Sequence, residues 1–279
     1  MIGGILAASF EPPSTNDFVY GCWGPSIKIA GFDFCLNFIV FLVLLTTVIV
    51  LALFFFALRK PTTVPGKFQL MVELGVQFVR ENIAVPMLGH DADTFMPLLT
   101  AFFFFILFSN WSGLIPGVGK VPWFRAPTSD VNVTIGLALV AFFFFQFQGF
   151  KHLGLGYLAK FFPFGEFRKG IGAGFIALFV GLVELLLEFV KPVTLSMRLF
   201  GNIYGGEVAL GVLTALTVAL IPLAMYALEV MLNLVQALIF STLTLMFTLA
   251  AIEHHGDEHD ESAEPSGTPM DPAVIAGAH

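Results

Sequence analysis

A chain of 279 residues that is 57% hydrophobic and only 12% charged, with a mean hydropathy of +0.88, cannot clothe a soluble globule in a charged skin. The composition is that of a polytopic membrane protein. The formal net charge of −7, much of it between Glu253 and Glu264, argues against a nucleic-acid surface, and two cysteines, Cys22 and Cys35, do not make a disulfide framework.

The opening MIGGILAAS has no basic n-region and too short an apolar stretch for a signal peptide, so 1–33 is expected to remain as an N-terminal extracytoplasmic segment. Hydrocarbon ~30 Å thick needs about 20 apolar residues as helix and tolerates no unpaired backbone, so long apolar runs predict spanning helices. Residues 34–58 carry no lysine, arginine or glutamate and stop at Arg59, Lys60 and Pro61, which predicts the first transmembrane helix. Residues 67–85 differ. There Gln69, Glu73, Gln77 and Arg80 recur at helical spacing, opposite Phe68, Met71, Val72 and Val79. That is the pattern of an amphipathic helix lying in the interface, although a soluble amphipathic helix has the same moment. Two further spans follow: 95–113, with Trp111 at an interfacial position, and 131–150, closed by Lys151 and His152. Between them Pro116 to Ser129, rich in proline and glycine, is a loop. The motif AFFFF, from Ala101 and again from Ala141, reads as lipid-facing bulk.

From 170 to 252 the chain is apolar almost throughout, with one reversal between Thr217 and Pro222. Helices over 170–217 and 221–252 are longer than the bilayer is thick and must tilt strongly. The expected fold is therefore an all-α polytopic membrane protein. It has three ordinary transmembrane helices, one amphipathic interfacial helix and a hairpin of two long, strongly tilted helices. All lie in one membrane domain, 34–252, followed by a disordered acidic cytoplasmic tail, 253–279. Basic residues cluster at Arg59, Lys60, Lys67 and Arg80 and at Lys151, Lys160, Arg168 and Lys169, against only Lys120 and Arg125 between. The richer connections should face the cytoplasm, which puts the N-terminus outside and, after five crossings, the C-terminus inside. His254, His255 and His259 in the tail fit no tight ligand spacing, so no metal is expected, and no other cofactor.

Charge inside the apolar half is patterned. Glu184, Glu188, Lys191, Leu195, Arg198 and Asn202 are spaced 4, 3, 4, 3 and 4 apart, one stripe of a helix. Glu229, Asn233 and Gln236 repeat the spacing on the last helix, while Glu207 falls about half a turn away from Arg198. Charged groups at membrane depth are costly and usually mark an ion pathway. Buried ion pairs, Glu188 with Lys191 or Glu184 and Arg198 with Glu207, are the plainer alternative. Arginine stays protonated even when poorly hydrated, so Arg198 is a fixed cation, whereas glutamates can exchange protons. An independent transporter that binds an anion on Arg198, or a membrane scaffold, are competing classes. No internal repeat supports the first, and the second has no need of polar stripes. No GxxxxGK[ST] occurs, so the chain itself is not expected to bind or hydrolyse ATP.

The segment KPVTLSMRLFGNIYGGEVAL, Lys191 to Leu210, resembles the family of a subunits of F-type ATP synthases. APTSDVNVTIGLAL, KPTTVPGKFQ and LVQALIFSTLTLMFTLAAIEHH extend the resemblance over most of the chain after Phe32. It implies a proton-translocating stator, no enzyme by itself, in the bacterial plasma (inner) membrane. The implied partners are the c-subunit ring, b-type stator stalk subunits, the F1 sector indirectly and the lipid bilayer, with no nucleic acid. By the resemblance, Arg198 faces the c-ring carboxylate and separates two offset half-channels. Glu207, Glu229 and Gln236 match the access path from the outside, with Asn202 near the arginine, and Glu184 lies near the exit; Asn233, Glu188 and Lys191 are further candidates for the proton pathway, while Glu188 and Tyr204 carry no assigned family role. Asp130 and Asn132, at the start of a helix, read as an N-cap rather than as proton chemistry.

Overall fold

The computed structural model describes residues 27–29, 32–34, 38–59, 66–89, 92–115, 126–154, 156–157, 171–216 and 220–253. Cys22, Cys35, most of the N-terminal segment, the reversal at 217–219 and the tail beyond Glu253 lie outside them. A short antiparallel hairpin comes first, β1 (Ile27–Ile29) and β2 (Phe32–Phe34), paired in the register Ile27 to Phe34. Its sequences IKI and FDF alternate with the two-residue period of a strand, a local departure from the all-α expectation. Every element described after it is helical.

Helix α1 (Phe38–Leu58) is apolar all round, the mark of a span rather than of a core helix with a wet face. Only 22% of it is buried in the protein, and Phe41, Val48, Leu51 and Phe56 point outward. Helix α2 (Lys67–Val79) continues through a π-helical turn, Arg80–Ala84, into α3 (Val85–Leu88). This segment stops at Gly89, whose φ of +56° suits a residue without Cβ. It buries Val72, Val79, Ile83 and Ala84 and leaves Phe68, Met71, Leu74 and Phe78 exposed. A cavity of about 910 Å³ opens between α1, α2 and α4, lined by Val50, Phe54, Val76 and Met96 with Arg80 and Glu81 at its rim.

Helix α4 (Ala92–Gly113) is the centre of the molecule, 61% buried. It begins before the expected 95 because Asp93 in its first turn suits the helix dipole and pairs with Arg80 at 3.0 Å. Phe102, Phe103 and Phe104 of its AFFFF run are core residues, with Phe102 against Phe240 and Phe104 edge-on to Phe54. The run is thus not lipid-facing. In α5 (Val131–Leu153) the same motif divides: Phe145 is buried and Phe143 is 66% exposed. Asp130 caps α5 by accepting from the Asn132 N–H at 2.6 Å, as the sequence suggests. Lys151 and His152 fall in its last turn, where the dipole favours them.

Two long helices complete the fold: α6 (Ile171–Leu216), 46 residues, and α7 (Leu220–Glu253), 34 residues. At 1.5 Å per residue these are about 70 Å and about 50 Å long. Helices α4 and α5 pack on α7, and α5 and α7 pack on α6. The α7 stripe Ala237, Ser241, Thr244, Thr248 and Ala251 is buried and small, which permits close helix approach where lipid provides no hydrophobic drive between helices. Its hydroxyls donate to carbonyls one turn back, so burying them leaves no orphan. Four helices among the described residues are long and apolar enough to cross a membrane: α1, α4, residues 131–152 of α5 and residues 222–252 of α7.

Candidate proton path along the long helices

The polar residues of α6 and α7 meet in antiparallel register. Stepping from Lys191 through Asn202 to Gly206 along α6 steps back from Phe247 through Asn233 to Glu229 along α7. The spacing of 3 and 4 that puts each set on one helical stripe therefore brings the two stripes into one seam. Asn202 donates to the Asn233 carbonyl oxygen at 3.4 Å. Glu229, Asn233 and Gln236 are all buried, at 8%, 2% and 6% exposure.

Glu229 is seated on a glycine. A Cβ at Gly206 would stand 2.3 Å from its Oε1, so the carboxylate occupies space that any other residue would fill. Glu207 is its charged neighbour, on the side of α6 away from Arg198. Glu229 Oε2 and Gln236 Nε2 have no hydrogen-bond partner among the described residues, and buried polar atoms so placed are ordinarily met by water. Tyr204, on the same stretch of α6, stacks on Phe200 at 5.6 Å.

The other end of the seam holds a second polar group. Glu188 is 2% exposed and accepts from Lys191 Nζ at 2.5 Å. The ammonium lies 5.6 Å from the Phe145 ring of α5 and 5.3 Å from the Phe247 ring of α7, both within cation–π range. Here the ion-pair alternative is realised. Tyr157, past the end of α5, is fully buried, donates to Gln146 Oε1 and packs on Phe150. Burial pushes its phenol above the usual range, and the charges of Glu188 and then Glu184 push it further. Glu184 is half-buried one turn before Glu188.

Arg198 stands between the two groups. At 100° per residue it lies about 40° round from Glu184, at the edge of the stripe that meets the outer face. It is exposed, with no ion pair or hydrogen bond among the described residues. Around it the face is largely apolar or bare: Leu187, Val190, Val193 and Met197 are 48–60% exposed, and Gly201 and Gly205 have nothing within 4 Å of a notional Cβ, with exposed Thr194 the polar exception, its hydroxyl donating to the Lys191 carbonyl. On the opposite side Leu195 and Leu199 are buried, and Ser196 donates to Thr134 of α5 at 3.1 Å. Arg198 is thus held by a packed helix yet offered outward.

The structure brings Asn202, Asn233 and Glu229 into one seam, with Gln236 on the same buried stripe of α7 and Glu207 beside Glu229. It gathers Glu188 and Lys191 into a separate joint near Glu184, and leaves Arg198 apart from both. Sequence reasoning missed Gly206, Gln146 and Tyr157. The doubled glycine in YGGE signals the first, while the other two sit outside the long helices and have no period to betray them.

A family model described as ATP synthase A chain matches residues 39–248. A protein named ATP synthase subunit a, from Anaeromyxobacter dehalogenans, is 34% identical over 276 residues, covering 92% of this chain and 69% of that protein. Another of that name, from a Sulfurihydrogenibium species, is 31% identical over 215 residues, covering 77% of this chain and 97% of that protein.

Proposed function

The chain belongs to the ATP synthase A chain family, the proton-channel subunit of the membrane sector, and from that premise we propose that it is the stator against which a ring of c subunits turns. Protons enter by a half-channel along Glu207, Glu229, Asn233, Gln236 and Asn202. They leave past Glu184, and Arg198 keeps the two paths apart. The observation that carries this reading is an outward-facing arginine on a helix face that is otherwise apolar or bare except for Thr194, flanked on both sides by buried polar groups.

A fixed cation there favours ionisation of a carboxylic acid carried past it by the ring, so the acid releases its proton on one side and must be reprotonated on the other. A proton cannot take Arg198 as a stepping stone, because the guanidinium has no proton to spare at any accessible pH. Each charge that crosses the membrane carries about 2.3 kcal/mol per 100 mV, so several protons must act together for one ATP.

Under this reading α6 and α7 form a strongly tilted hairpin along the rim of the ring, and α2 lies in the interface. The b-type stalk holds the subunit still against the torque from the F1 sector, in a bacterial plasma membrane with the N-terminus outside and the C-terminus in the cytoplasm. The lengths of α6 and α7 support the tilt, since neither fits an upright crossing.

ATP-driven proton uptake into vesicles holding the whole complex tests the reading, native against Arg198→Ala. Loss of uptake, with a passive leak through the assembled membrane sector, is expected. Unchanged coupled uptake would refute the separator role.

A further inference from the structure

The ion pair Glu188–Lys191 has the wrong surroundings for a site of proton exchange and the right ones for a clamp. The carboxylate is 2% exposed, its partner ammonium is 2.5 Å away, and that ammonium is enclosed by one ring from α5 and one from α7. Phe142 of α5 also meets Phe189 of α6 at 5.9 Å, so the contact between these helices continues beside the pair. Pro192 follows Lys191 directly and cannot donate the helical hydrogen bond to the Glu188 carbonyl, which loosens α6 at this turn. A helix weakened there needs outside support to keep what lies beyond in place. What lies beyond, two turns on, is Arg198.

We propose that Lys191 and Glu188 are positioning residues that fix the height and rotation of α6 against α5 and α7, and so set where Arg198 meets the passing carboxylate. A buried ion pair suits this task better than apolar packing. Apolar side chains slide past one another at small cost, whereas displacing this ammonium, whose side chain is 20% exposed, from a buried carboxylate and two rings leaves the Glu188 charge unmatched inside the protein. Register is the best-attested use of such pairs. Neither residue then exchanges protons during turnover, and Glu184, one turn earlier and half-buried, is left as the carboxylate of that end.

The inference rests on the proposed role of Arg198, and its test separates the two. Complexes carrying Lys191→Met, Glu188→Gln, Lys191→Arg and Arg198→Ala are quantified by the amount of assembled a subunit, then assayed for ATP-driven proton uptake per assembled complex. Passive conductance is measured after removal of the F1 sector. Lys191→Met and Glu188→Gln are expected to lose roughly tenfold or more of the uptake per assembled complex, as small misplacements of a working group do. They should also leak. Lys191→Arg keeps the charge but brings a larger, planar head into the ring contact, so it should fall between native and Lys191→Met. Lowered assembly with normal uptake per complex would overturn the proposal, because the pair would then serve folding alone. So would an Arg variant as defective as the Met variant. If Arg198→Ala pumps normally, the separator reading fails, whereas native pumping by Lys191→Met beside an inactive Arg198→Ala sinks only the clamp.

Discussion

At the scale of single residues, the closest fit in the seam is between Glu229 and Gly206. Gly206→Ala puts a methyl group against Glu229 Oε1, so the carboxylate, at the end of a flexible side chain, must leave its present place in the seam. Proton conductance of the assembled membrane sector should fall steeply. Adding Glu229→Ala should restore assembly but not conductance, since the clash and the carboxylate vanish together. Tyr157 gives a prediction of another kind. Its phenol has a higher pKa in the folded protein than in the unfolded chain, where it is near the ordinary 10 of a tyrosine. The unfolded state therefore loses its proton first as pH rises, so stability present below about pH 10 is progressively lost above it. Thermal unfolding of the purified complex should show that loss, and Tyr157→Phe should reduce it.

Single elements show why composition misleads in a membrane. The motif AFFFF occurs twice, and nothing in its letters distinguishes core from lipid, because hydrocarbon is as apolar as a protein interior. Helix α4 is surrounded and α5 is not. Phe102→Ala should thus cost about 3–5 kcal/mol, the usual range for a buried phenylalanine, while Phe143→Ala at 66% exposure should leave the melting temperature nearly unchanged. The start of α5 was readable, since aspartate followed two residues later by a free N–H is a local signal. Asp130→Ala should cost about 1 kcal/mol in the same melting experiment. The polar stripes were equally readable from their spacing of 3 and 4. Their register against each other was not, because it depends on a contact across two helices that the chain order does not encode. The ion pair Glu188–Lys191 could be named as a possibility from i,i+3 spacing, but its cage of Phe145 and Phe247 comes from two other elements.

At the scale of the whole molecule, the helical character follows from run length, and four of the five expected crossings are among the described helices long and apolar enough to span, while α6 is not. Under the proposed reading the outward face of α6, with Arg198 on it, is where the ring would sit. Purified alone into vesicles, the chain should conduct no protons above the lipid background. Conductance should appear only when the c ring is added, and a chain that conducted alone would be a channel instead of a stator.

The glycines flanking Arg198 have a mechanical consequence. With Gly201 and Gly205 bare, the ridge of α6 is planed flat on the C-terminal side of the arginine, so under the proposed role a passing helix would meet little steric ripple there. On that side the guanidinium stands at the edge of the track. Bulky side chains at either glycine would add further notches, turning smooth stepping into friction felt as slower rotation under unchanged driving force.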